Sequence, residues 1–431
     1  MAAQGGGSGR RPVRDWASDF DHLSPEWAAH APEICADLRD RCPVAHTERF
    51  YGAYLVTRYD DVVAVAQDTV GFSNRITAVN ENRPENIRLE APPITLDPPR
   101  HGPLRRSLLP PFSAREVARL VPLVEAACDR ALDALDRRTV VDGAVDYAQI
   151  IPVDVTAHLL GLRREDGDRF RTWVRGILAE GQIDLELAAR CTREVRAFFA
   201  EQLEDRRHHP TGDLVTWVAT AEVQESVGGG GEGGARPLSD REQVGILYLL
   251  LVAGIDTTWS AIGASLHHLS HHPGHRRRLL TALPRGRASL DPDDDGLWDR
   301  AVEELLRFFS PVTMARVIER DGEIGGCPVR AGERLLLSYA SANRDAAHFE
   351  RPDEVVLDRA ENRHLAFGVG VHRCLGSNLA RMELKVALQR WLARFPDFEP
   401  AGDVHWTIGV RGPRSVPLRL APAQMARSRV L

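Results

Sequence analysis

The chain has 431 residues and a formal net charge of −6, enough for one large catalytic unit and without the basic excess that marks a nucleic-acid binder. Its six cysteines are scattered with no Cys-x-x-Cys pair, which argues against a zinc ribbon or a disulfide scaffold. Lys385 is the sole lysine, so neither a phosphate-loop lysine nor any other Schiff-base amine is available.

Residues 1–14 are rich in Gly and Arg and lack an apolar stretch, so they read as a disordered tail and not as a secretory signal. No strong linker divides the rest of the chain, and 15–431 reads as a single catalytic domain. Residues 51–57 read as a strand and 59–67 as a helix. A long amphipathic helix is expected over 114–135, and two helices broken near Gly181 over 170–207. The nearly pure glycine run 228–234 lacks the strand and the lysine of a phosphate loop, so 226–237 reads as a flexible loop.

Ser239 and Glu242 then form a capping box, starting a helix that runs from Asp240 to about His271, where Pro273 ends it. It is apolar on nearly every face and must pass through the middle of the protein. Its longest apolar run, about 246–255, is too short to span a bilayer, so a cytoplasmic protein without membrane contact is expected. Residues 334–339, with three consecutive leucines, read as a buried strand.

Inside the central helix lies Ala253-Gly254-Ile255-Asp256-Thr257-Thr258. An acid and two hydroxyls suit a buried apolar helix poorly unless each finds a partner. Small Ala253 and Gly254 leave room for a ligand, and Thr257 is placed to bond the carbonyl four residues back, opening a bulge for water. The pair reads as a proton-delivery device in which Thr257 orients oxygen and water while Asp256 relays protons; the alternative is a packing notch.

Two clusters further on read as non-functional. His267, His268, His271, His272 and His275 read as a solvated helix end, and the acidic run 291–296 as a surface turn without the glutamate of a calcium loop. Glu304 and Arg307 share a helix face, either as an exposed ion pair or as a buried one that braces the cysteine loop, joined by Arg359.

The most informative window is Phe367-Gly368-Val369-Gly370-Val371-His372-Arg373-Cys374-Leu375-Gly376, just before a helical pattern. A thiolate there is favoured by backbone N–H groups and the helix dipole, and the glycines let the loop pass close to something flat. This points to axial ligation of a haem iron by Cys374, a ligand that favours O–O cleavage. An inert cysteine beside a helix cap does not explain the Phe, the His and the spaced glycines together.

These motifs, in this order, resemble those of the bacterial cytochrome P450 family over about residues 15–420. The resemblance implies a mainly α fold with small β-sheets and haem b between the central helix and the helix after Cys374. It implies that Cys374 is the metal ligand, that His101, Arg105, Arg316 and His372 bind the haem propionates, and that Phe367, Gly368, Gly376, Ala253 and Gly254 shape the cofactor site. Asp256 and Thr257 become the catalytic pair and Arg359 the third member of the Glu304–Arg307 network. The implied activity is insertion of one atom of O2 into a small, largely hydrophobic substrate, by default hydroxylation, in bacterial secondary or catabolic metabolism.

The resemblance further implies a monomer receiving electrons from a ferredoxin and its NAD(P)H-dependent reductase on a face with Arg105, Arg106, Arg373 and Arg381. The pocket is expected from 72–95, 176–187, Leu250, Ala253, 312–314 and 408–410. Polar Asn74, Arg75, Asn80, Asn82 and Arg83 suggest a polar group on the substrate. A peroxide-driven enzyme or a haem-binding protein without turnover is the alternative, and the retained Asp256-Thr257 pair argues against both.

Overall fold

The computed structural model describes residues 10–82, 90–227, 231–283 and 296–421. Its spine is the helix Asp240–His271, with the bounds that the capping signals predict. The Ser239 hydroxyl accepts from the Glu242 N–H, and the Glu242 carboxylate accepts from the Ser239 N–H. As a whole this helix is long and apolar enough to cross a membrane, but 67% of its most apolar window is buried inside the protein. It is therefore a core helix.

The helix Ser377–Arg394 packs beside it and against Val121–Asp133. Trp391 of this helix is fully buried, its ring 5.0 Å from that of Tyr147, whose hydroxyl donates to the Ala387 carbonyl at 2.7 Å. The single helix expected over 114–135 is instead two, Ala114–Ala118 and Val121–Asp133. Pro122 explains the break, because a ring without an N–H suits a first turn and not a helix interior. Gly167–Leu178 and Leu185–His208 are separated at residues 180–182, as expected from Gly181.

A five-stranded sheet flanks the helices in the order Val44–Thr47, Ala53–Val56, Arg334–Ser338, Thr313–Ile318, Phe72–Ser73. Arg334–Ser338 runs parallel to Ala53–Val56 and antiparallel to Thr313–Ile318, and is buried along its whole length. The helix Tyr59–Gln67 has its predicted bounds.

Three expectations need correction. The stretch read as a flexible loop over 226–237 contains paired strands, Glu222–Val227 against Gly231–Pro237. Within the segment read as a disordered tail, Arg10 pairs with Asp21 at 2.7 Å, and residues 1–9 lie outside the described residues. The histidine cluster is a solvated helix end only in part: His271 and His272 are exposed, but His268 is buried, stacks on His272 at 4.0 Å and meets Nδ1 of His275 through Nε2 at 2.9 Å. Phe308 and Phe309 cover it, a tertiary contact that no local pattern announces. Most of the acidic run 291–296 lies outside the described residues.

Candidate active site

A cavity of about 550 Å³ lies between the central helix and the helix Ser377–Arg394. Cys374 presents its surface to this cavity. Its N–H donates to the Phe367 carbonyl at 2.8 Å, closing the loop into a tight arch. Gly368 and Gly370 take φ of +66° and +77°, a region that side chains adopt only with strain. A Cβ on Gly376 would meet nothing within 4 Å, so the backbone beside Cys374 borders open space.

Burial pushes the Cys374 thiol pKa up, opposed by the Gly376 N–H and by Arg105, Arg373 and Arg381. A metal cation bound at Cys374 would favour the thiolate against that burial, since coordination deprotonates a thiol outright.

At the cavity edge the structure gathers His101, Arg105, Arg316 and His372. The two imidazoles lie 4.3 Å apart, each with a buried Nε2 that has no hydrogen-bond partner. Arg316 is 3% exposed and donates to the Ala315 carbonyl at 2.7 Å, while Arg105 donates to the Arg373 carbonyl. Among the described residues no carboxylate accepts a hydrogen bond from any of the four. Burial, with His101, Arg316 and Arg105 adding to it, lowers the pKa of His372 to about 3. Orphaned donors in a positive field, next to an open-sided thiol, fit a flat group carrying carboxylates. The residues present therefore fit haem.

From the central helix, Ala253 and Thr257 face the cavity, and the Thr257 hydroxyl donates to the Ala253 carbonyl at 2.9 Å. The helix runs through this point as uninterrupted α-helix, without the bulge expected from that bond. A Cβ on Gly254 would approach Oγ1 of Thr156 at 3.1 Å, so this glycine lets a neighbouring helix come close as well as bordering the cavity.

Asp256 lies elsewhere. It is fully buried, outside the cavity lining, and both its oxygens accept from Arg414, the second at 2.8 Å. The Arg414 guanidinium rests over the Trp259 ring at 4.5 Å. Burial pushes the Asp256 pKa up and Arg414 opposes it.

Sequence reasoning missed Arg414, which carries no local signature. It also missed Glu383, a fully enclosed cavity-wall carboxyl whose Oε2 has no partner and whose pKa burial pushes up to about 8.

Glu304 and Arg307 form the buried version of their pair, both fully enclosed, with Arg359 adding a bond of 2.9 Å to Glu304. Arg381 is not an open docking charge: it pairs with Glu303 and covers the Phe367 ring at 4.5 Å. Arg106 and Arg373 are exposed.

The expected pocket segments line the cavity through Ile76, Val79, Leu178, Leu250, Val312 and Val410, among others, but Ile408 does not. The polar side chains of the first loop are partly committed to structure. Asn74 is buried and donates to the Ile94 carbonyl, and Arg75 pairs with Glu319. Asn80 and Asn82 border the cavity, and Arg83 lies outside the described residues.

Comparison with known proteins agrees with this geometry. The family model for cytochrome P450 matches residues 184–407. PksS, the polyketide-biosynthesis cytochrome P450 of Bacillus subtilis, is 31% identical over 417 residues, 91% of this chain and 96% of that one. The mycinamicin IV hydroxylase/epoxidase of Micromonospora griseorubida is 33% identical over 394 residues, covering 89% and 94%. The solved structure of PksS matches with a TM-score of 0.80 at 28% identity, covering 94% of this chain and all of that one.

The chain belongs to the cytochrome P450 family. It is a haem-thiolate monooxygenase that carries haem b and uses O2 on a small organic substrate.

Proposed function

We propose that this enzyme hydroxylates a largely hydrophobic molecule of bacterial secondary or catabolic metabolism. Its electrons come from a separate ferredoxin and NAD(P)H-dependent reductase, and it acts as a monomeric, cytoplasmic, single-domain catalyst. The apolar cavity wall supports the substrate class. One relative of similar length is named for polyketide biosynthesis and another as a mycinamicin IV hydroxylase/epoxidase, which supports the metabolic setting.

When bound, the haem supplies the oxygen-activating iron, with electron density pushed onto it by a thiolate. Cys374 would hold the iron, while His101, Arg105, Arg316 and His372 would grip the carboxylates in charge-assisted bonds. Phe367, Gly368, Gly376, Ala253 and Gly254 shape the slot. Thr257 keeps a hydroxyl at the cavity wall, and Asp256 with Arg414 forms the polar link behind it. The Arg414 side chain is 19% exposed and Asp256 not at all, so the arginine is the side from which water reaches the pair.

The observation that carries this reading is Cys374 open to the cavity beside Gly376 and two unpartnered imidazoles. The test is the absorption of the reduced carbon monoxide complex. The wild type shows the thiolate-type band and Cys374→Ser loses it while still binding haem. Retention of that band in the serine variant would remove Cys374 from its role. Low-to-high-spin Soret shifts then identify which small molecules enter the pocket.

A further inference from the structure

Behind the wall of the main cavity lies a second, small cavity of about 40 Å³. Three arginines line it, Arg39, Arg344 and Arg411, together with Ser338, Ser341 and Thr407. Arg39 is 9% exposed and donates to the hydroxyl and carbonyl of Ser341 at 2.9 and 3.2 Å. Arg344 lies over the Phe308 ring at 3.9 Å, and the Phe308 carbonyl accepts from it at 3.3 Å. Arg411 lies over the Trp406 ring at 4.4 Å, with its Nε buried and without a partner.

Among the described residues the charges there do not balance. Asp353 touches Arg344 at 3.3 Å but is 63% exposed, so water weakens its hold. Glu33 is exposed and acts on Arg411 only at longer range. Cys35, 3.9 Å from the Ser338 hydroxyl, is kept neutral by burial and supplies no negative charge. Like charges gathered away from water repel strongly, and an unmade buried N–H adds its own penalty.

We propose that this cavity is a binding site for a small monovalent inorganic anion, chloride being the abundant one, held between Arg39, Arg344 and Arg411. The volume exceeds the roughly 10–15 Å³ that one water requires, yet is far too small for a nucleotide or an organic acid. Burial and the nearby Arg344 push the Arg411 pKa down to about 10, as expected for a cation short of a counter-charge.

The anion has a structural task. The Arg411 backbone N–H donates to the Pro311 carbonyl at 2.7 Å, and Gly409 and Val410 next to it line the substrate cavity. Neutralising Arg411 fixes that wall, so anion and substrate bind cooperatively.

The test uses the holoenzyme at constant ionic strength, with gluconate replaced stepwise by chloride. The wild type gains a saturable rise in Tm of about 2 °C, and Arg411→Gln shows none. A flat wild-type response, or an equal response in the variant, overturns the proposal. Crystals of the wild-type holoenzyme soaked in bromide give an independent answer that does not depend on the variant folding. An anomalous peak between the three guanidiniums supports the site. Density there without anomalous signal means water and overturns it.

Discussion

Arg307 meets Glu304 one helical turn away through two bonds of 2.8 Å, with neither side chain exposed to solvent. The same guanidinium donates to the carbonyls of Asn343, Pro352 and Glu354, so it ties the helix Leu297–Phe309 to the chain leading to the Cys374 loop. Burial works against the Glu304 charge, but bonds from Arg307, Arg359 and the Val356 N–H overcome it and lower its pKa. Its contribution to stability is therefore fully present above the ordinary glutamate range and is lost as pH falls from there through its lowered pKa.

Glu304→Gln leaves two buried guanidiniums short of a counter-charge. A loss of about 3–5 kcal/mol is expected by denaturant unfolding of the holoenzyme at pH 7. A loss below about 1 kcal/mol would mean that water relieves the charges.

Arg414→Leu exposes the other side of the same physics. It strips a fully buried carboxylate of its partner, and the expected cost is again about 3–5 kcal/mol, with Asp256 taking up a proton. Arg414→Leu combined with Asp256→Asn recovers much of that stability, read as Tm. No recovery in the double variant would show that Arg414 acts through other contacts.

His268 and His267 have pKa values lowered to about 2 and about 4, burial being the main cause and neighbouring histidines the next. Between those values and the ordinary 6.5 the unfolded chain binds protons that the native protein refuses, so stability falls as pH drops below 6.5. For His268 the loss at pH 5 is about 2 kcal/mol. His268→Phe keeps a ring between His272 and Phe309 and removes that part of the acid sensitivity. Unfolding at pH 7 and pH 5 measures it, and an unchanged difference between the two would dismiss the assignment.

Glu383 titrates in the opposite sense. With its pKa raised to about 8 by burial against an ordinary 4.5, the native protein keeps a proton that the unfolded chain has released between those pH values. Stability therefore falls as pH rises through that window, by an amount on the order of a few kcal/mol. Glu383→Gln exceeds the wild type in Tm at pH 9, and the gap closes near pH 5. A gap independent of pH would mean that Glu383 is ionised in the native state.

Features with a local cause are legible in the sequence. The capping box and Pro273 bracket the helix Asp240–His271 at both ends, and the glycines around Cys374 announce a backbone that side chains would strain. The spacing of Glu304 and Arg307 leaves their burial open, and Arg359 with three carbonyls from later in the chain settles it. Features caused by distant segments are not legible. The partner of Asp256 comes from the loop before the last strand, and His268 is buried by aromatic rings of another helix. The strand pairing around the glycine run depends on register between two weak strands, which composition alone argues against.

The Asp256–Arg414 pair also has a place in time. The two residues are 158 positions apart in sequence. At about 5–20 residues per second a ribosome adds the arginine roughly 8–30 s after the aspartate. Throughout that interval the growing chain carries a bare carboxylate in the middle of the long apolar helix Asp240–His271. That carboxylate has no counter-charge to be buried against until synthesis has passed Arg414, so the docking of this helix into the core waits on the loop before the last strand.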